Sequence, residues 1–191
     1  MATKRRIGMW TLVLMVATTL TVGVSPAGTT IFEKGRFSER FSFTYDECGF
    51  PVSVEGTEQG RYRLRQGKGK TAGVFFLQAT ASYREVHTNT NTGEWFVLRG
   101  RRVFNEVKAT RVEGTIFRFV AIEAGQPFVV ENSAGEVVMR DRGVIRYTFL
   151  FDTGGDDVPG GDEIEFLGAD VRGPHPGFDA DFCEIASDLI G

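Results

Sequence analysis

The sequence predicts an all-β protein: a single antiparallel β-barrel or barrel-like sandwich with a short C-terminal helix. Three observations carry that expectation. Apolar and aromatic residues recur at every second position through most of the chain, the signature of half-buried strands. Breaks rich in Gly, Pro, Asn and Asp divide these runs. Seventeen phenylalanines, all downstream of residue 27, supply bulky material for a strand-built core.

The first residues belong to export rather than to the fold. Lys4, Arg5 and Arg6 precede an uncharged apolar run, Ile7 to Val24, and Ser25-Pro26-Ala27 offers small residues for cleavage before Gly28. This is the pattern of a signal peptide over residues 1–27, with an uncleaved anchor as the other reading. Cleavage leaves 164 residues, 19 Lys plus Arg against 25 Asp plus Glu, and a net charge near −6. That length predicts one β domain over residues 28–191. The acidic balance argues against a nucleic-acid partner and against generic binding to an anionic membrane, since both need a basic footprint. Cys48 and Cys183 are the only cysteines. In an oxidising compartment they are expected to form one disulfide, with two separately buried thiols as the alternative.

Taken in order, Thr30-Ile31-Phe32 is followed by a charged break. Phe41, Phe43 and Tyr45 then alternate cleanly with Ser42, Thr44 and Asp46. Phe50, Val52 and Val54 extend the pattern past Pro51, which places this piece at an edge or a bulge. Gly56 to Gly60 reads as a turn and Arg61 to Arg65 as a short strand. Gln66 to Thr71 is a Gly/Lys loop. It has the ending of a phosphate-binding loop but not the full spacing, and strand-like Gly73 to Phe76 follows instead of a helix. Phe75 to His87, a polar turn through Asn91-Thr92-Gly93, and Glu94 to Arg99 form a hairpin. Three arginines around Gly100 read as a solvated turn, with an anion site as the other reading. Thr115 to Ala124 is apolar on both faces and predicts a central strand. Gly125-Gln126-Pro127 turns the chain, and a hairpin about Asn132 to Glu136 follows. Ile145, Tyr147, Phe149 and Phe151 form one strand face, an acidic loop interrupts, and Glu163 to Leu167 returns. Asp179 to Leu189 spaces Phe182, Ile185, Ala186 and Leu189 by three and four, which predicts an amphipathic helix carrying Cys183 close to its apolar face.

Candidate chemistry is sparse. The acidic loop offers Asp152, Asp156, Asp157, Asp162 and Glu163 as oxygen ligands for calcium. Aligned on Asp152, Glu163 falls at the twelfth position, but Asp157 stands where the calcium loop has its glycine. A solvated loop is the other reading. No HExxH, histidine cluster or nucleophile elbow is present, and His87 and His175 are the only histidines. No cofactor is expected. The phenylalanines either fill the core or line an apolar cavity. In the second case the candidate ligand-binding residues are Trp95, Phe117, Phe119, Tyr147, Phe149 and Phe151.

Four features together resemble the small, uncharacterised secreted β-rich proteins of actinobacteria: the exported precursor, the distant cysteine pair, the Asn91-Thr92-Gly93 turn and the segment from Val120 to Tyr147. Strand number and glycine-punctuated hairpins are also similar to lipocalin-type and allene-oxide-cyclase-type barrels. The early Gly-x-Trp of lipocalins is absent, because Trp95 falls too late. The resemblance implies architecture and transfers no catalytic residue. The expected function is that of a secreted, extracellular, non-enzymatic protein binding a small apolar ligand in its interior. The alternatives are a secreted interaction or structural protein partnered by an extracellular protein, and an enzyme of carboxylate-hydrolase or cyclase-like type.

Overall fold

The computed structural model describes residues 31–155 and 157–191, so the expected signal peptide lies outside the described residues. Among the described residues eight antiparallel strands follow one another: β1 (Ile31–Tyr45), β2 (Val52–Gln66), β3 (Phe75–Asn89), β4 (Trp95–Glu113), β5 (Ile116–Glu131), β6 (Val137–Arg140), β7 (Gly143–Asp152) and β8 (Asp162–Arg172). Among the described residues a single α-helix, α1 (Phe182–Ile190), follows the strands. Among the described residues, no helix is long and apolar enough to cross a membrane. The strands form one sheet in the order β1-β2-β3-β4-β5-β7-β8, with β6 pairing the far end of β5.

The fold is all-β with a short C-terminal helix, but the sheet is not closed into a barrel. The strand count gives a physical reason. Seven strands lie on the path and each runs antiparallel to the next. The first and last therefore run the same way, and closure would need a parallel pairing, which a meander of hairpins does not favour.

Paired residues share a face, so the register defines an inner face covered by α1 and an outer face. Its inward rows include Phe43–Val54–His87–Phe96 and Tyr62–Ala79–Phe104–Glu123–Ile145. Several inward positions on β1 to β4 are glycines, and aromatic rings lie flat across them. A methyl built on Gly56 would meet the Phe41 ring at 2.3 Å, one on Gly60 the Phe37 ring at 2.6 Å, and one on Gly100 the Tyr83 ring at 2.5 Å. This aromatic cover explains why Gly56 to Gly60, expected to turn, instead runs straight through the middle of β2. Gly125-Gln126-Pro127 likewise lies inside β5. Here the register shifts opposite Arg99/Arg101, and Gly125, at φ +127°, sits where a Cβ would strike the Arg101 carbonyl.

Two apolar clusters fill the inner face. At one end Val52, Val54, Phe96, Leu98 and Val130 pack against Ala186 and Ile190 of α1. Complete burial of each large side chain contributes about 2 kcal/mol. The helix is anchored three ways. Cys48 and Cys183 form the expected disulfide, with Cα atoms 4.9 Å apart. Asp181 caps the helix by accepting the Cys183 N–H at 2.9 Å. The Asn89 side-chain amide donates to the Ile190 carbonyl at 2.7 Å, satisfying a helix-end acceptor.

At the other end Val74, Ala109, Phe117, Phe119, Ala121 and Phe149 form the second cluster. The Gly/Lys loop, with a 3-10 turn at Gly69–Thr71, carries Val74 into it. The Gly67 N–H donates to the Val74 carbonyl at 2.7 Å. Here β4 departs from β3: the pairing ends at Gln78↔Asn105, and the Glu106 carboxylate accepts the freed Leu77 N–H at 2.6 Å.

Candidate functional site

Between the two clusters a polar stripe crosses the inner face. It arises where three otherwise apolar or small inward strings each place a charge: Val52, Val54, Gly56, Glu58 on β2; Phe96, Leu98, Gly100, Arg102 on β4; Phe117, Phe119, Ala121, Glu123 on β5. The Arg102 guanidinium lies 3.7 Å from Glu58 Oε1 and 3.8 Å from Glu123 Oε2. Both are ion-pair separations and neither is a hydrogen bond. Arg102 Nε and Glu58 Oε1 are buried without a hydrogen-bond partner. The side chains remain partly open, with Arg102 19 % and Glu58 15 % exposed. Burial holds the Glu58 and Glu123 carboxyls above their usual range, and the Arg102 charge opposes it. The Tyr83 ring sits 5.9 Å below the guanidinium and its hydroxyl donates to the Pro127 carbonyl at 2.8 Å. Burial pushes the Tyr83 and Tyr147 phenols well up.

The stripe continues in both directions. Toward α1, His87 is fully buried, its ring stacked on Phe96 at 4.8 Å. With the proton on Nε2, His87 donates to Glu85 at 3.0 Å and its Nδ1 accepts the Tyr45 hydroxyl at 3.3 Å. Toward the chain end, the Asp141 carboxylate accepts the Gly177 N–H at 2.8 Å and faces His175 Nδ1 at 3.6 Å. Burial raises the Asp141 carboxyl against that backbone bond. Neither ring nitrogen of His175 has a hydrogen-bond partner. Both histidines are thus held beside a carboxylate; the His87 partner Glu85 acts electrostatically on Glu58, and His175 acts on Glu123. The arrangement can hold a polar group of a ligand against Arg102, and burial raises the carboxyls around it above their ordinary range.

Of the aromatic residues expected to line a ligand site, the structure gathers five. Phe119 stacks on Phe149 at 5.6 Å, Phe151 stands edge-on to Phe119 at 5.6 Å, Phe117 is in the same buried cluster, and Tyr147 packs against it beside the stripe. Their rings pack on one another. Trp95 is not with them: it pairs with Thr88 at the start of β4, and Phe117 pairs with Arg111 near that strand's end.

Of the calcium candidates, Asp152 accepts the Gly154 N–H at 2.9 Å and its carboxyl is held low by a Thr115 hydrogen bond and then by that N–H. Asp162 is its cross-strand partner, Glu163 pairs with Phe151, and Asp157 is exposed. Asp156 lies outside the described residues. Among the described residues, no group of three or more His, Cys, Asp and Glu is placed to hold a metal ion.

Arg102 was masked in the sequence by its neighbours. The three arginines around Gly100 read as a turn, yet they sit inside β4: Arg99 and Arg101 face out and Arg102 faces in. The signal was parity, because Arg102, Glu58 and Glu123 each fall on the inward beat of an apolar alternation. The comparisons with known proteins add no relative: no family model, no curated protein and no solved structure matches this chain.

Proposed function

We propose that the protein is an exported, non-enzymatic binding protein that takes a small, largely apolar ligand on its inner face. The ligand's one polar group would rest at Arg102. The observation that carries this reading is the placement of incompletely satisfied, partly open polar groups between two apolar clusters, the combination of apolar lining and a few polar groups that small-molecule sites use. A barrel-like enclosure belongs to the same proposal. With β1 and β8 running in the same direction, the ligand rather than a strand pairing would span the open side. Native mass spectrometry of the protein purified from its own culture medium tests the reading. A bound small molecule is expected with the wild-type chain and its loss with Arg102→Leu. A wild-type spectrum of bare protein would count against it.

A second reading, a carboxylate-based hydrolase, draws support from Glu58 and Glu123, whose carboxyls are both raised by burial on either side of Arg102. It predicts that the molecule recovered with Glu123→Gln differs in mass from that recovered with the wild type.

A further inference from the structure

The outer face of β1 to β4 carries a feature that the inner-face site does not use. Outward rows across these strands read Lys34–Arg63–Gln78–Asn105, Arg36–Arg61–Thr80–Val103, Ser38–Gln59–Ser82–Arg101 and Arg40–Thr57–Arg84–Arg99. No carboxylate stands in any of these four rows, although the chain as a whole has more acidic than basic residues; the next outward row toward α1, Ser42–Glu55–Val86–Val97, brings in the exposed Glu55. Lys34, Arg36, Arg40, Arg61, Arg63, Arg84 and Arg101 are all exposed.

Two like-charged pairs lie directly opposite each other, Lys34↔Arg63 and Arg36↔Arg61, and Arg84↔Arg99 is a third. Opposed like charges destabilise a sheet. Arg99 is relieved by Glu131, which accepts its Nε–H at 2.8 Å. Among the described residues, Lys34, Arg36, Arg61 and Arg63 have no such ion pair. Protection of an open edge accounts for charges on β1, but Arg61 and Arg63 stand on β2, which is paired on both sides.

We infer that this face binds a linear, phosphate-bearing polyanion. Successive outward side chains on one strand recur about every 6.8 Å and neighbouring strands lie about 4.8 Å apart, so the arginines make a regular two-dimensional array. The guanidinium fork matches phosphate oxygens in a way that a lone ammonium does not. The remaining positions in the rows are Ser, Thr, Gln and Asn, which add hydrogen-bond donors, and Val103. No aromatic residue occupies these four rows. The basic rows themselves therefore lack the stacking platform a single-stranded nucleic acid uses and the aromatic wedge a membrane-surface site uses; the exposed Trp95 stands two rows beyond them, in the row Thr44–Ser53–Thr88–Trp95. A base-free phosphate polymer fits what is there.

Titration of the purified protein with long-chain inorganic polyphosphate at low ionic strength tests this, with single-stranded oligonucleotide and anionic phospholipid vesicles as parallel probes. Polyphosphate is expected to bind most tightly, with affinity falling linearly in log–log plots as salt is added. Arg61→Glu/Arg63→Glu turns the Lys34↔Arg63 and Arg36↔Arg61 pairs into opposite-charged ones. It should weaken polymer binding by about tenfold or more while its unfolding midpoint stays at or above that of the wild type. Arg118→Glu/Arg146→Glu makes the same change in net charge on the outer face of β5 and β7 and should leave binding within about threefold. No polymer binding at low salt, an equal loss in both variants, or tighter binding to the oligonucleotide or the vesicles would overturn the inference.

Discussion

The two ends of the inner face are sealed by different means. At the α1 end the seal is a separate element, tied by a disulfide, a capped helix start and the Asn89 bond to the helix's last carbonyl. At the phenylalanine end the seal is the sheet's own continuation: a short loop delivers Val74, β4 bulges away, and a buried carboxylate takes over a strand N–H. One end depends on a covalent link between distant parts of the chain, the other on close packing of local aromatics. The contrast implies that they fail differently, and three perturbations separate them.

The largest effect is expected from Cys48→Ser/Cys183→Ser. The bridge spans 135 residues, and chain entropy alone assigns a loop of that size about 5 kcal/mol. Urea unfolding should show a loss approaching that figure, and limited proteolysis should cut first near α1. A loss below about 1 kcal/mol would mean that packing alone holds the helix. At the other end, Phe119→Ala empties the position that contacts Phe76, Phe149 and Phe151. A cost of about 3–5 kcal/mol is expected by the same measurement, with α1 still protected from the protease. Joint loss of protection at both ends would erase the distinction between them.

The smallest effect concerns Glu106, whose carboxyl burial pushes up to about 7 against the opposing Leu77 N–H bond. The unfolded chain holds that proton with an ordinary value of about 4.3. The folded protein therefore binds the proton more tightly. Stability from this group is complete below about pH 4, declines as pH rises between the two values, and is flat above about pH 7. Glu106→Gln keeps an oxygen for Leu77 and removes the charge. It should match the wild type at pH 4 and exceed it at pH 8 by about 3–4 kcal/mol. Equal stability at pH 8 would show that water reaches the carboxylate.

The same contrast explains what could be read in the sequence. The helix end was legible: a period of three and four from Phe182 to Leu189, one cysteine pair, and an aspartate before the first turn name their roles locally. The strands were legible by alternation. Their lengths were not, because Gly56, Gly60 and Gly125 punctuate a sequence in the same way whether the chain turns there or lies beneath a neighbouring aromatic ring. The loop that carries Val74 gave no sign that it folds into the core. Barrel closure was expected from strand number, and the direction of the last strand decides against direct pairing. The polar stripe was written in the parity of Glu58, Arg102 and Glu123. Finding it required knowing that β2, β4 and β5 continue through their apparent breaks. The outer basic rows were hidden for another reason: net charge averages over faces, and like charges opposed across β1 and β2 are far apart in sequence.

The central claim is that the Arg102 stripe is kept for binding and is not a structural requirement. A part-buried charge cluster at ion-pair distances is weak support for a fold, and apolar or neutral replacement of a whole cluster is often tolerated. The most direct measurement is equilibrium urea unfolding of Glu58→Gln/Arg102→Met/Glu123→Gln beside the wild type. The account predicts a midpoint equal to or above that of the wild type. A loss of about 3 kcal/mol or more, the cost of breaking a buried charge network that a structure depends on, would contradict it.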